Sequence, residues 1–213
     1  MKGLLIKDFR LILQQKKLIA IYLIIFVCMC YFMEDSYAIS FFMLFPLAMV
    51  ISTISYDWFD NGMPFLMTLP NARKVYTIEK FLFSCIVLIS SGFITSFVQF
   101  IVWVITDEMF DVQEDIFGSV TFYLPIMILF CCLIIPTMLK FGVEKGRIVI
   151  FLIFGGIVLA TVGVGKIIAF VGKTSEYNVL TNIKRSTFTI IVFAVILPIS
   201  IIISNKIIEK REF

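Results

Sequence analysis

The residues best suited to specific chemistry lie in one polar stretch between apolar runs. Asp57, Trp58, Phe59, Asp60 and Phe65 open the segment 56–80, YDWFDNGMPFLMTLPNARKVYTIEK. Their types fit recognition rather than bond-making. Large aromatic side chains are the usual anchors of protein interfaces. The two carboxylates can favour an early helix turn or pair with cations on a partner. A Leu69-Pro70-Asn71 break follows, then charges from Arg73-Lys74 to Glu79-Lys80. A connection between two spans needs only a few residues, so about 25 residues with their own pattern point to a folded element. Such an element either docks a soluble partner at the membrane surface or packs only on its own membrane domain.

The residues needed for other chemistries are missing. The chain has no histidine, which removes His-based triads, His metal sites and His proton relays. Its five cysteines, Cys28, Cys30, Cys85, Cys131 and Cys132, all lie in apolar runs without metal-ligand spacing. They read as buried thiols behaving as small hydrophobes. The run from Ala160 to Ile167, ATVGVGKI, is a decoy for a phosphate-binding loop. That motif requires Gly where Ala160 stands and Ser or Thr where Ile167 stands. No cofactor is expected on this chain, and if ATP drives it, another chain hydrolyses the nucleotide. No carboxylate falls inside a predicted span, whereas ion-coupled carriers and intramembrane proteases place their working acids there. The source of energy is therefore expected outside the bilayer.

These residues must be positioned by membrane helices. The 213 residues are 61% hydrophobic and 15% charged, with a mean hydropathy of +1.05. Soluble domains carry about 25% charge, and apolar runs of roughly 18 residues or more need a bilayer. The expected fold is an all-α membrane protein, one transmembrane domain over residues 1–213, with six transmembrane helices. The spans are placed at 18–33, 37–55, 81–106, 117–139, 148–171 and 187–204, with 56–80 as a cytoplasmic coupling segment. Residues 1–17 read as an interfacial helix, because Leu5, Phe9 and Ile12 fall on one side among charges. The first span is expected to stay in the mature protein, since no cleavage pattern follows it. Most of the 18 Lys and Arg fall in 1–17, 56–80, 140–147 and 205–213. The positive-inside rule then puts both termini in the cytoplasm.

Two features inside the spans could serve function. In the fifth span Gly156 and Ala160 form a small-xxx-small pair, with Gly163 close by, which allows close helix packing within the chain or across a dimer. Lys166 lies late in the same span and either snorkels to the outer surface or marks a pathway. The 24 Phe and 10 Met would suit an apolar or amphipathic cargo if they line a path, and are ordinary membrane packing otherwise.

The opening MKGLLIKDFRLIL resembles the amphipathic N-terminal segment of ATP-binding-cassette permeases of the type-2 export class, in the small bacterial branch. Tyr56-Asp57-Trp58, then Thr68-Leu69-Pro70-Asn71-Ala72-Arg73-Lys74-Val75-Tyr76 and Glu79-Lys80-Phe81, resemble the family's acidic segment and Leu-Pro-basic stretch before span three. The resemblance implies a half-transporter in the bacterial cell membrane. Two copies, as a homodimer, would pair with two copies of a separate ATPase that binds ATP and magnesium. The segment after span two would carry the coupling helix, with Asp57, Trp58, Phe59, Asp60 and Phe65 as contact residues. The chain is similar to exporters of amphipathic peptides such as phenol-soluble modulins or bacteriocins, which implies a peptide or other hydrophobic cargo. No nucleic-acid partner is expected, and the chain itself is not an enzyme. The competing class is a stand-alone channel, scramblase or ion-coupled carrier.

Overall fold

The computed structural model describes residues 2–32, 35–59, 62–68, 72–106, 112–171 and 192–210, and all regular structure among them is helical. In chain order the helices are α1 (Lys2–Gln14), α2 (Lys16–Phe32), α3 (Asp35–Trp58), α4 (Gly62–Met67), α5 (Ala72–Thr106) and α6 (Val112–Val171). A π-helical turn (Val192–Ile196) then leads into α7 (Leu197–Lys210).

The core follows from helical periodicity. On α3 the buried residues Met43, Leu47, Val50 and Ile54 recur at three- and four-residue steps, which puts them on one face. They pack against Phe81, Phe83 and Leu88 of α5, Met127, Ile128, Ile134, Ile135 and Met138 of α6, and Ile208 of α7. Helices α3, α5 and α6 therefore pack pairwise, and α7 leans on α5 and α6. A second, smaller apolar cluster joins α2 to α3 through Phe26, Cys30, Ala38 and Phe42. Tyr22 extends it, its ring stacked 4.0 Å from that of Phe45.

Helix α6 is two helical arms. Gly142 has φ 79° and ψ 177°, a positive-φ conformation that an L side chain rarely adopts. Past it the chain turns back. A Cβ on Gly146 would lie 3.2 Å from Cα of Met138, whereas eight residues along a straight helix span about 12 Å. The KFGVEKGR turn expected at 140–147 thus becomes a helical corner, folded where glycine permits it.

Among the described residues, three helices are long and apolar enough to cross a membrane, over Phe41–Trp58, Val75–Ile101 and Tyr123–Leu152. A fourth candidate is the pair Lys2–Gln14 and Lys16–Cys30, bent by 64°. The expected sixth span begins at residue 187, and 187–191 lie outside the described residues. The expected helix boundaries lengthen at the polar stretch: α3 runs on to Trp58, and α5 begins at Ala72. Among the described residues, the stretch 56–80 holds the end of α3, the short helix α4 and the start of α5. The apolar stripes of α3 and α5 continue through their terminal turns, and burial of those stripes keeps the turns helical.

Candidate functional site

Several elements meet at one end of the bundle. Lys7 of α1 contacts Asp57 at the end of α3, and Lys80 of α5 contacts Asp8 of α1. Arg147, beyond the α6 corner, approaches Ser55 at 3.3 Å, and Arg73 of α5 donates to the carbonyl of Glu209 on α7 at 3.3 Å. The four segments that carry most of the Lys and Arg are thereby gathered together.

The centre of this end is a buried ionic cluster, and helical spacing builds it. On α3, Asp57 follows Ile54 by three residues and inherits the buried face. On α5, Tyr76, Lys80, Phe83 and Leu88 share one face, so Lys80 is carried into the interior at 0% exposure. On α1, Asp8 sits between Leu5 and Ile12, at steps of three and four, and is fully buried. Three inward faces therefore deliver charges to one point.

Lys80 Nζ pairs with Asp8 Oδ2 and, at 2.8 Å, with Asp57 Oδ2. Lys7 Nζ pairs with Asp57 Oδ1 and lies 3.5 Å from Asp8 Oδ1. The Tyr76 hydroxyl donates to Asp57 Oδ2 at 2.9 Å, and the Lys80 ammonium stands 5.2 Å from the centre of the Tyr76 ring. Glu79, beside Lys80 in the chain, is 1% exposed. A buried charge persists only when paired and hydrogen-bonded. Each ammonium here bridges two carboxylates, which ties α1, α3 and α5 in one register.

The connection after this cluster points the other way. Phe59 is 72% exposed and Phe65 is 70% exposed, while Tyr56 is also largely open. Gly62, at the start of α4, stands close against the end of α3. A Cβ on Gly62 would fall 2.8 Å from the carbonyl oxygen of Asp57, a clash that glycine avoids. Met63 anchors α4 in the core with no exposure, and Thr68 closes the helix with a hydroxyl bond to the carbonyl of Phe65 at 2.7 Å. A short helix is thus held at its base and presents Phe65 on its outer side, with Phe59 exposed just past the end of α3.

The residues expected to contact a partner separate into two groups. Phe59 and Phe65 are outward. Asp57 is consumed by Lys7, Lys80 and Tyr76 within the chain, and Trp58 is half-buried against the core. Asp60 lies outside the described residues. On α1, Leu5 and Ile12 pack against the core, and Phe9 meets Phe83 edge-on at 5.4 Å. The outer face of α1 is Ile6 and Leu13 instead. Gly156, Ala160, Gly163 and Lys166 lie on the helical backbone of α6, and their side chains are outside the described residues. Sequence reasoning missed Asp8, Tyr76, Glu79 and Lys80 as members of a site. The available signal was a charge interrupting an apolar stripe: Asp8 is the sole acid in residues 1–17 and falls at i+3 from Leu5.

Between α1, α2, α3 and α5 lies an apolar cavity of about 150 Å³, lined by Ile12, Tyr22, Phe42, Phe45, Met49 and Ile94 among others. Among the described residues no group of His, Cys, Asp and Glu has the arrangement to hold a metal ion. No curated protein and no solved structure matches the chain. A family model described as "ABC-2 family transporter protein" matches residues 3–209, so the helices, the ionic cluster and the exposed connection belong to a member of the ABC-2 family of transporter membrane subunits.

Proposed function

We propose that this chain is the membrane half of an ATP-driven exporter, and that a separate ATPase grips it at the connection around α4. The observation that carries this reading is the pairing of exposed Phe59 and Phe65 with a firmly held base. Aromatic rings that dock into a partner groove transmit force only if the helix bearing them cannot swing freely. Asp57, two residues before Phe59, is tied to Lys7 and Lys80. A push on α4 would therefore be felt by α1, α3 and α5 together.

In this reading the chain has six spans with both ends in the cytoplasm, which the clustering of basic segments at one end favours. Two copies form a homodimer in the cell membrane, with two ATPase copies carrying ATP and magnesium. The cargo is an amphipathic peptide of toxin or bacteriocin type, or another hydrophobic compound. The apolar cavity beside α2 supports that class, since a space of this size accepts one large apolar side chain or the end of a lipid tail.

The test is co-expression with a candidate ATPase bearing a phosphate-binding loop and a signature motif. Phe59→Ala with Phe65→Ala should abolish co-purification and transport-coupled ATP hydrolysis while the permease still accumulates in the membrane. Because Asp57 and Trp58 are structural, they are left intact. Full retention of the ATPase by the double variant would overturn the docking assignment.

A further inference from the structure

The polar side chains lining the apolar cavity beside α2 are already satisfied within the chain. The Tyr22 hydroxyl donates to the carbonyl of Phe41. Ser90 and Ser91 donate to carbonyls of their own helix, those of Val87 at 2.9 Å and Leu88 at 2.7 Å. The rest of the wall is apolar, with Ile19 and Leu23 of α2, Phe42 and Met49 of α3, and Val87 and Ile94 of α5. An apolar cavity of this size stays dry and accepts hydrocarbon. A peptide backbone would bring amide groups that need partners, and the side chains of this wall supply none.

Shape and position narrow the occupant further. The wall runs from Met49 to Phe42 on α3 and from Val87 to Ile94 on α5, about 10 Å of helix rise on each. The cavity opens on the outer surface of the bundle, where Ser90 and Ile94 are exposed beside the strongly exposed Phe93 and Phe97. That surface belongs to the candidate span Val75–Ile101, so the medium outside it is lipid hydrocarbon. The end of the cavity nearest the basic segments carries positive charge. There α1 and α2 meet at an elbow bent by 64°. Lys16, Ile19 and Leu23 follow at steps of three and four, so the exposed Lys16 stands one turn before the cavity on the face that lines it. The exposed charges of α1 and the elbow are Lys2, Arg10, Lys16 and Lys17, all cationic, while Asp8 is buried against Lys80.

We propose that this cavity is a binding site for an anionic phospholipid: a segment of one acyl chain lies along Ile19, Leu23, Phe42 and Met49, and the phosphate meets Lys16 and Lys17. A void among apolar side chains forfeits their contacts, and hydrocarbon from the surrounding leaflet restores them. The headgroup meanwhile holds the elbow, and with it α1, at the membrane surface. The site is independent of any docking at α4. A cargo entering the same space would have to displace the lipid.

The experiment uses the full chain reconstituted in vesicles. In one set phosphatidylglycerol carries a diazirine in one acyl chain; in the other phosphatidylcholine carries the same chain. Irradiation followed by peptide mass spectrometry locates the adducts. Phe42 and Met49 are only 5% and 4% exposed, so a label reaches them only from inside the cavity, and the phosphatidylglycerol probe should mark both. Ile54 and Phe83, buried elsewhere, should stay unmarked. Phe93 and Phe97 report ordinary lipid contact and should react with both probes. Ile94→Trp narrows the mouth and should remove the adducts at Phe42 and Met49 while keeping those at Phe97; Ile94→Ala leaves the mouth open and should keep them all. Lys16→Gln should lower the cavity adducts about fivefold relative to Phe97, the effect of one cation near an anionic lipid. Wild-type chain unmarked at Phe42 and Met49 would overturn the proposal whether or not any variant accumulates, and a cavity filled by a second copy or by cargo would give that result. Equal marking of these two residues by both probes, or marking that survives Ile94→Trp, would overturn it as well.

Discussion

Helix α5 buries polar side chains by two different rules along its length. In its first turns Tyr76 and Lys80 reach other helices, with partners far away in sequence; Lys80 and Asp8 are 72 residues apart. Further along, hydroxyls turn back on their own helix. Ser84 donates to the carbonyl of Phe81 at 2.8 Å and Thr95 to that of Ser91 at 2.7 Å, while Ser91 donates to the carbonyl of Leu88 at 2.7 Å and also lies 3.7 Å from Met43 Sδ on α3. A hydroxyl satisfied within its own helix is indifferent to the neighbouring helix. It lets a polar residue live in the apolar interior without choosing a partner. An ammonium between two carboxylates on different helices permits only one arrangement. The charged end therefore sets register, and the interior is held by shape and apolar contact.

This contrast can be broken most severely at Lys80. Lys80→Met leaves Asp8 and Asp57 buried without their shared cation, and the expected loss is about 3–5 kcal/mol. Unfolding in detergent with added denaturant measures it, and a loss under about 1 kcal/mol would make the cluster peripheral. Removing Asp8 and Lys80 together, as Asp8→Leu with Lys80→Met, should be milder than Lys80→Met alone. Asp57 would keep Lys7 and Tyr76, and no stranded carboxylate would face α5. A double variant as weak as the single one would mean that the pair stabilises through something other than its charges.

Smaller effects sharpen the other side of the comparison. Ser200 on α7 donates across to the carbonyl of Cys132 on α6 at 2.6 Å, a cross-helix bond in the interior. Ser200→Ala is expected to cost about 0.6–1.7 kcal/mol, the range for such bonds in membrane proteins. Thr95→Val removes a bond that serves only its own helix, and the shift should stay within about 0.5 kcal/mol. Thermal unfolding of both variants in one detergent orders them. If Thr95→Val were the worse of the two, the division between local and cross-helix polar groups would fail.

Much of the fold was legible. The apolar runs, the basic turn at 140–147 and the basic segments on one side were written in residue types and spacing, whereas the corner at Gly142 was not. The placement of the residues expected to contact a partner was only half legible. Phe59, just past the end of α3, and Phe65, on the short α4, are exposed. Asp57 looked like a partner of the same kind, yet it stands three residues after Ile54 on a buried stripe, and that stripe continues beyond the polar boundary. Leu5 and Ile12 also turned inward. An amphipathic pattern reports that a face is apolar, and both lipid and protein satisfy it.

The sequence alone determined that this chain is helical and that it belongs with membranes; Asp8 and Lys80 stood in it only as charges among apolar residues. Only the packed structure decided that they face each other, with Asp57, Lys7, Tyr76 and Glu79 around them. Periodicity fixes which side of a helix is buried, because it is a local property of the backbone. Which stripe meets which depends on how α1, α3 and α5 cross, and that is settled by contacts between residues far apart in the chain.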